Sequence, residues 1–539
     1  MTTSPAPVLV AGAGPAGLVA ALTLLRNGVS VRIIDKEPHY RIGQRGPGIF
    51  PRSLELFHFL EVPEVDEVVQ PLLLTQVYKP GTVEPLKSFH AIPYTEPTPA
   101  IPIFNPKLIG QQTLEAILRS HLEKFGVFVE VGTELRSFEQ NSDGVIAKVA
   151  KQQGSGEVLE TIEASWLIGT DGARGVTRKR LGLTFLGETR DEVHFVTGDI
   201  RLKGKGIDRV HWHRFASGDG PEEKGVMLRP TEEVGEDGFQ FILTGQGFDS
   251  AKLATDKEAL YQAIREVTGT EIEFKELVWV SQFSPNIRMV NKFGEGRVFI
   301  AGDAAHVHSP TGGQGLNSSV QDSFNLSWKI ALVQKGLSPA SLLSTYTTER
   351  LPVIAEMLEL TTAILDKTMS RGQKLYMLGV NYRYSPIVVD EFSDAGPVNA
   401  YGLLQEGVLI AGDRAPDAPR LTRGDGEPTR LFDIFRPAYH TVLIFAADSA
   451  SAAPLLSALS QYDSSVLRSA VVLPSPAAPS STTTGDLTLV DEGGYAYGGY
   501  LVKEGQTRVV VVRPDGVVGA IVSGAQGLEK YFGLIFNPL

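Results

Sequence analysis

The stretch that most constrains this chain lies at its start. Residues 7–35 read PVLVAGAGPAGLVAALTLLRNGVSVRIID. Residues 8–11 are an apolar run of strand length, Gly12, Gly14 and Gly17 form G-x-G-x-x-G, and Leu18, Leu22 and Leu25 recur at helical spacing. Gly28 closes the helix, and VSVRIID is a second strand ending at Asp35. Gly12 permits a tight turn, Gly14 lets a pyrophosphate approach the backbone, and Gly17 lets helix and strand pack closely. The helix start presents free N–H groups and the positive end of its dipole to phosphates. Asp35 stands where a carboxylate can bond a ribose hydroxyl. This unit binds a dinucleotide, and alone it does not separate NAD from FAD.

A second stretch decides between them. GRVFIAGD, 296–303, is a buried strand that ends at Asp303. PTGGQGLNSSVQDSFNLSWKIALV follows, glycine-rich and then helical, with Leu316, Val320, Phe324, Leu326 and Ile330 on its apolar face. A carboxylate at a strand tip suits a polyol. A glycine-lined helix start suits a flat ring edge that becomes negative on reduction. Together they describe a ribityl chain and an isoalloxazine, which favours FAD. His306 and His308 are two residues apart and lack a second carboxylate–His pair, so the expectation is packing or loop hydrogen bonding and no metal. No G-x-S-x-G elbow follows a strand, which argues against a hydrolase.

Composition narrows the class. At 539 residues the chain has room for about three or four domains. A net charge of −12 without a Lys/Arg run speaks against nucleic acid. There is no cysteine, so disulfides, thiolate catalysis and Cys-ligated metal centres are excluded. The N-terminus lacks a basic start with an apolar signal core, and no stretch approaches the roughly 20 apolar residues that span a bilayer. The expectation is a soluble, cytoplasmic protein with no membrane partner.

These motifs resemble those of the FAD-dependent aromatic hydroxylases, the single-component flavoprotein monooxygenases of the phenol hydroxylase and para-hydroxybenzoate hydroxylase kind. Three carry the resemblance in order: the fingerprint at 12–17, WLIGTDGARGVTRKRLG at 166–182, and GRVFIAGDAAHVHSPTGGQGLNSSVQDSFNLSWKIA at 296–331. GQRGPGIFPRSLELF, 43–57, resembles the segment whose Arg, here Arg45, lies along the flavin. GQQTLEAILRSHL, 110–122, resembles the segment whose Gln contacts the cofactor, with Gln111 selected and Gln112 the alternative.

The resemblance implies an α/β fold: a Rossmann-like FAD-binding domain, an inserted mixed β-sheet substrate domain and a C-terminal thioredoxin-like domain. The expected boundaries are 1–70, 105–184 and 286–398 for the FAD-binding parts and helical region, 71–104 for a pocket segment, 185–285 for the substrate sheet and 399–539 for the thioredoxin-like unit. It implies that Asp171 and Gly172 border FAD and a transient NADPH or NADH. Asp303 would bind the ribityl hydroxyls, and Pro310, Gly312, Gly315, Leu316 and Asn317 would lie along the flavin ring. Two departures stand out. The family usually carries Ser at the place of Gly175, and phenol-hydroxylase-like members carry Asp at the place of Pro47, so a base must come from elsewhere.

The middle of the chain alternates like strands. DRVHWHRFA puts His211 and His213 on one face, with Trp212 and Arg214 on the other; DGFQFILTG opposes Gln240 to Phe239, Phe241 and Leu243. His211, His213, Arg229 and Gln240 are the candidate pocket residues and, with Pro310, the candidate catalytic set. The other reading puts these sheet residues at a solvent-facing edge. The Pro-rich 70–104 stretch reads as irregular, a helical pattern around 346–368 reads as packing or dimer surface, and 474–485 reads as a mobile Ser/Thr/Pro loop. Without cysteine, a thioredoxin-like tail would serve stability or assembly.

The activity implied is NAD(P)H-consuming insertion of one atom of O2 into a phenolic substrate through a flavin hydroperoxide, in a homodimer. Epoxidation, dearomatisation or Baeyer–Villiger oxidation would use the same intermediate. A flavin dehydrogenase without oxygen insertion and a non-enzymatic flavin-binding protein are further alternatives.

Overall fold

The computed structural model describes the chain apart from residues 1–4, 155, 191–193, 219–222, 367–371, 395, 398, 476–484, 504, 539 and the side chain of residue 311. Most of the Ser/Thr/Pro run at 474–485 therefore lies outside the described residues.

The first strand, Val8–Ala11, is fully buried and interior in a five-stranded sheet whose middle strand is Trp166–Gly169. It pairs in parallel with Val31–Ile34 on one side and Trp166–Gly169 on the other, and the latter pairs in parallel with Val298–Ile300. Parallel strands end at one edge. The turn at Gly12, Asp35, Asp171 and Asp303 all follow these four strands, so residues nearly 300 positions apart converge on the carboxyl edge of one sheet. The helix Pro15–Arg26 starts with Pro at its first position, where a missing N–H costs nothing. It is buried from Ala16 to Leu25, and it packs between the sheet and the helices Gln111–Glu123 and Gly315–Gln334.

A second sheet has seven strands, in the order Ile272–Phe283, Phe195–Gly204, Gly238–Thr244, Gly225–Pro230, His211–Ala216, Leu74–Tyr78, Pro85–Phe89. It is mixed, because His211–Ala216 and Leu74–Tyr78 run in parallel. The Pro-rich stretch expected to be irregular thus supplies two strands. Val196, Ile200, Leu228, Phe241 and Leu243 on one face pack against Leu260, Ile264 and Val267 of the helix Lys257–Thr268. The other face turns toward the unit built on the five-stranded sheet, as its contacts with residues 44 and 45 show.

The last third of the described chain forms an eight-stranded sheet. Its centre is His440–Phe445, helix Ser449–Leu459 and parallel strand Leu467–Pro474, followed by the antiparallel pair Arg508–Val512 and Val518–Val522 and the helix Ala525–Ile535. Trp328 and Leu332 of the Gly315 helix belong to its hydrophobic core. Among the described residues no helix is long and apolar enough to cross a membrane.

Candidate active site

The glycines of the first turn differ in what surrounds them. Gly12 has φ +109°, and a Cβ there would meet the Thr170 carbonyl oxygen at 2.3 Å. At Gly17 a Cβ would stand 1.9 Å from the Gly12 carbonyl oxygen. At Gly14 it would meet nothing within 4 Å. Gly12 and Gly17 are therefore demanded by the fold, whereas Gly14 borders open space at a helix N-terminus. That is the arrangement a pyrophosphate needs.

Asp35 Oδ2 accepts from the Ala13 N–H at 2.8 Å and Oδ1 from the Glu37 N–H at 2.9 Å, so the carboxylate braces the glycine turn while each oxygen keeps a lone pair. A small cleft beside it is lined by Ala13, Tyr40, Arg41, Glu115, Arg119 and Val131. The Arg119 guanidinium lies 3.8 Å over the Tyr40 ring. Gln111 Nε2 donates to Glu115 Oε1 at 2.7 Å, and Gln112 Oε1 instead accepts from the Gly43 N–H at 2.9 Å. Gln111 thus bonds within its own helix, to the cleft residue Glu115, and Gln112 to the 43–48 segment.

Asp303 follows the strand Val298–Ile300 in a single 3-10 turn. It keeps solvent exposure although many protein atoms surround it. Burial raises its carboxyl pKa, and the charges of His306, Arg41 and Arg45 oppose that rise. Behind the turn, Asp322 Oδ2 accepts from the Gly302 N–H at 3.1 Å and pairs with His306 Nε2 at 2.6 Å; Oδ1 accepts from Arg350 Nε at 2.7 Å. His306 is thus wholly buried and braces the Asp303 turn. His308 Nδ1 donates to the Ser309 carbonyl at 2.6 Å, and burial pushes its pKa down to about 4, so its ring is neutral with Nε2 toward Gly315. A Cβ on Gly315 would stand 2.7 Å from that nitrogen, and one on Gly312 2.8 Å from Thr361 Cγ2. Leu316 is half-buried and Pro310 exposed. Both donors of the Asn317 amide are committed: it donates to Gly48 and Gly313 carbonyls at 3.0 and 2.9 Å, and its oxygen accepts from the Phe50 N–H at 2.8 Å.

Asp171 Oδ2 accepts from the N–H and the hydroxyl of Thr177 at 2.8 and 2.9 Å, capping the short helix Val176–Arg180. Its other oxygen is buried without a partner, and burial raises its pKa. A Cβ on Gly175 would stand 2.2 Å from that oxygen, so this carboxylate occupies the space that Ser would need. Gly172 has φ +78° and opens to free space. Arg178 ties the two motif turns together, donating to the Ala304 carbonyl at 2.9 Å and the Ala173 carbonyl at 2.6 Å. Arg41, Asp322 and Arg178 carry no local sequence pattern that singles them out. Arg178 and Asp322 lie within the 166–182 and 296–331 motifs, but it is the converging strands that reveal what they hold.

The candidate pocket residues of the seven-stranded sheet are corrected by its register. His213 pairs across the sheet with Leu228 and Leu228 with Phe241, so it lies on the face covered by the helix Lys257–Thr268. It is wholly buried, shares a 2.7 Å hydrogen bond with the Tyr78 hydroxyl, and stacks near Phe215. His211 shares that face and pairs with Asp208 at 2.7 Å. Neither faces the cleft, and the strand is interior rather than a solvent-facing edge. Arg229 and Gln240 do lie on the cleft-side face, but both are buried and their described bonds go to Gln44, to one another and to the Arg45 carbonyl. The next row on that face runs Ser281, Thr197, Ile242, Met227 and Arg214, none of them buried.

The profile of the FAD binding domain family matches residues 5–361. The chain belongs to this family, and it is a flavin-dependent monooxygenase. It is 34% identical over 536 residues, 98% of this chain and 99% of the other, to a flavin-dependent monooxygenase of Mycobacteroides abscessus. It is 32% identical to the pentachlorophenol 4-monooxygenase of Sphingobium chlorophenolicum, covering 83% and 81% of the two chains. Among solved structures, aklavinone-11 hydroxylase in complex with FAD and aklavinone superposes over all of both chains, with a TM-score of 0.79 and 25% identity. The open space at Gly14, the exposed Asp303 and the nearby charges of Arg41 and Arg45 fit the FAD that this monooxygenase binds.

Proposed function

We propose that this monooxygenase inserts one oxygen atom from O2 into a phenolic ring at the expense of NADPH or NADH. The balance is substrate, O2, NAD(P)H and a proton giving hydroxylated substrate, NAD(P)+ and water. The observation that carries the reading is the convergence of the Gly14 turn, Asp171 and Asp303 at one sheet edge, beneath a second sheet with a half-buried, mixed polar and apolar face.

FAD, when bound, supplies the hydride acceptor and the group on which O2 is activated. In our reading Gly12, Gly14 and Gly17 admit its pyrophosphate and Asp35 its adenosine ribose. Arg45, Gln111 and Asp303 take the flavin half, the start of the Gly315–Gln334 helix with Gly312, Leu316 and Asn317 supports the ring edge, and Asp171 and Gly172 border the nicotinamide. Substrate lies against Thr197, Met227 and Ile242. That row has no carboxylate, and Pro47 removes the base of phenol-hydroxylase-like members. Its charged member is Arg214, a cation that favours the phenolate, the more nucleophilic form of the substrate. The pocket must also exclude water, since leakage turns oxygen activation into peroxide release.

We read the C-terminal unit as thioredoxin-like, on its β-α-β then β-β-α order, and as structural because it holds no cysteine. The discontinuous domain division, a homodimer and a cytoplasmic location complete the reading. The test is oxygen uptake with a panel of phenols and hydroxybenzoates, followed by product mass from 18O2. Phenol-stimulated uptake with one labelled atom in product supports hydroxylation. NAD(P)H oxidation that no phenol accelerates contradicts it.

A further inference from the structure

The segment carrying Arg45 takes its shape from the seven-stranded sheet. Gln44 is 2% exposed. Its main-chain N–H donates to Asp199 Oδ2 and its side-chain amide nitrogen to Asp199 Oδ1, both at 2.9 Å. Its amide oxygen accepts from the Arg229 guanidinium and, at 3.3 Å, from the Thr231 hydroxyl. Arg229 Nε also donates to Gln240 Oε1 at 3.2 Å, and Gln240 Nε2 donates to the Arg45 carbonyl at 2.6 Å. Asp199 only accepts and Arg229 only donates, so the amide between them has one possible orientation. Arg45 itself sits at φ +52°, a left-handed conformation that costs a residue with a Cβ about 1–2 kcal/mol. Its guanidinium lies 5.1 Å over the Trp279 ring, and Trp279 is the sheet partner of Asp199.

Nothing local in the sequence around 45 demands that conformation; the bonds from the sheet do. We propose that Gln44, Asp199, Arg229 and Gln240 are positioning residues that hold Arg45 at the FAD cleft. The inference rests on the reading that Arg45 faces the cofactor. It also gives the seven-stranded sheet a second role: the wall read as meeting the substrate fixes a cofactor residue one row away.

The test exploits the polarity of the amide. Gln44→Glu sets a carboxylate against Asp199, whereas the double variant Gln44→Glu/Asp199→Asn rebuilds every bond. The amide introduced at position 199 would accept from the residue 44 N–H and donate to the new carboxylate, which then faces Arg229. FAD affinity is read by flavin fluorescence, and the absorption bands of bound flavin are read without substrate.

We expect Gln44→Glu to weaken FAD binding about tenfold or more and shift the bands, and the double variant to return within about threefold of the parent. Gln240→Met, which frees the Arg45 carbonyl, should weaken FAD about tenfold before any substrate is added. A parent-like Gln44→Glu, a double variant no better than the single, or a parent-like Gln240→Met overturns the inference. If Gln44→Glu fails to fold, the double variant and Gln240→Met decide by the same criteria. Arg45→Ala separates the two levels. If it leaves FAD affinity and bands unchanged, the cofactor reading of Arg45 fails; if it alone weakens binding, only the positioning inference fails.

Discussion

Arg513 and Glu349, 164 positions apart, form a two-bond ion pair with both side chains wholly buried: Nη1 meets Oε1 at 2.7 Å and Nη2 meets Oε2 at 2.9 Å. Lys329 donates to the same Oε2 at 2.7 Å, and Arg513 also holds Asp515 at 2.6 Å. Arg52 donates to the Asp515 carbonyl at 2.6 Å, and Arg414 pairs with Glu55. Buried ions repay their desolvation only when pairing is complete. The C-terminal sheet thus supplies the counter-charge to a carboxylate on the helix Ser344–Leu365, next to the helix Gly315–Gln334.

Arg513→Met should therefore destabilise the folded protein by about 3 kcal/mol or more, because it leaves Glu349 and Asp515 short of partners. Chemical denaturation of parent and variant checks this. A loss below about 1 kcal/mol, the size of an exposed pair, would show that the network is not under the burial seen here.

Two glycines of one motif should respond in opposite ways. Gly14→Val is expected to leave stability without FAD within about 1 kcal/mol of the parent while weakening FAD at least about tenfold, since the side chain enters ligand space. Gly17→Ala should cost about 3 kcal/mol through its clash with the Gly12 carbonyl, with or without cofactor. Thermal midpoints of apo- and holoprotein, with FAD titrations, separate the two effects.

This contrast shows what the sequence makes legible. The glycine turn, Asp35, Asp171 and Asp303 are readable because each sits at the end of a short apolar run, and the chemistry of a strand tip is local. The seven-stranded sheet is harder to read. Alternation says that His211 and His213 share a face, but apolar and polar residues occur on both faces, so the pattern cannot say which one meets the helix Lys257–Thr268 and which meets the cleft. The strands within residues 74–89 are hidden because proline and glycine there mask the alternation. The bonds of Gln44 to Asp199 and Arg229, of Gln240 to Arg45 and of Arg513 to Glu349 each join residues more than 150 positions apart and have no local signature.

Acid should loosen the junction between the Gly315 helix and the C-terminal sheet. His440 lies among the rings of Trp328, Tyr531, Phe532 and Phe536, and burial holds its pKa down at about 3, with the charge of Arg513 acting the same way. Below the unfolded value of 6.5 the unfolded chain binds the proton that the folded one refuses. Stability from this group is thus full above that pH and falls on acidification toward pH 3, by up to about 1.4 kcal/mol per pH unit. His440→Phe should flatten the stability profile below pH 6.5 relative to the parent. An unchanged difference between pH 7 and pH 5 would show that His440 does not titrate this way.

Gly175→Ser should displace the Asp171 carboxylate from Thr177, because its Cβ needs the space of Oδ1. The two lost bonds predict a stability decrease of about 1–3 kcal/mol. The apparent KM for NAD(P)H should change while that for the phenol stays within about twofold. Equal changes in both would place Asp171 away from the nicotinamide.

The proposed FAD placement rests most directly on the carboxyl edge of the five-stranded sheet. Its decisive measurement is the FAD dissociation constant of Asp303→Ala against the parent, by flavin fluorescence at matched folding. We predict affinity at least about tenfold weaker, from loss of a charged hydrogen-bond acceptor at the cofactor. A folded Asp303→Ala protein that holds FAD as tightly as the parent would contradict the placement of the flavin at this sheet edge.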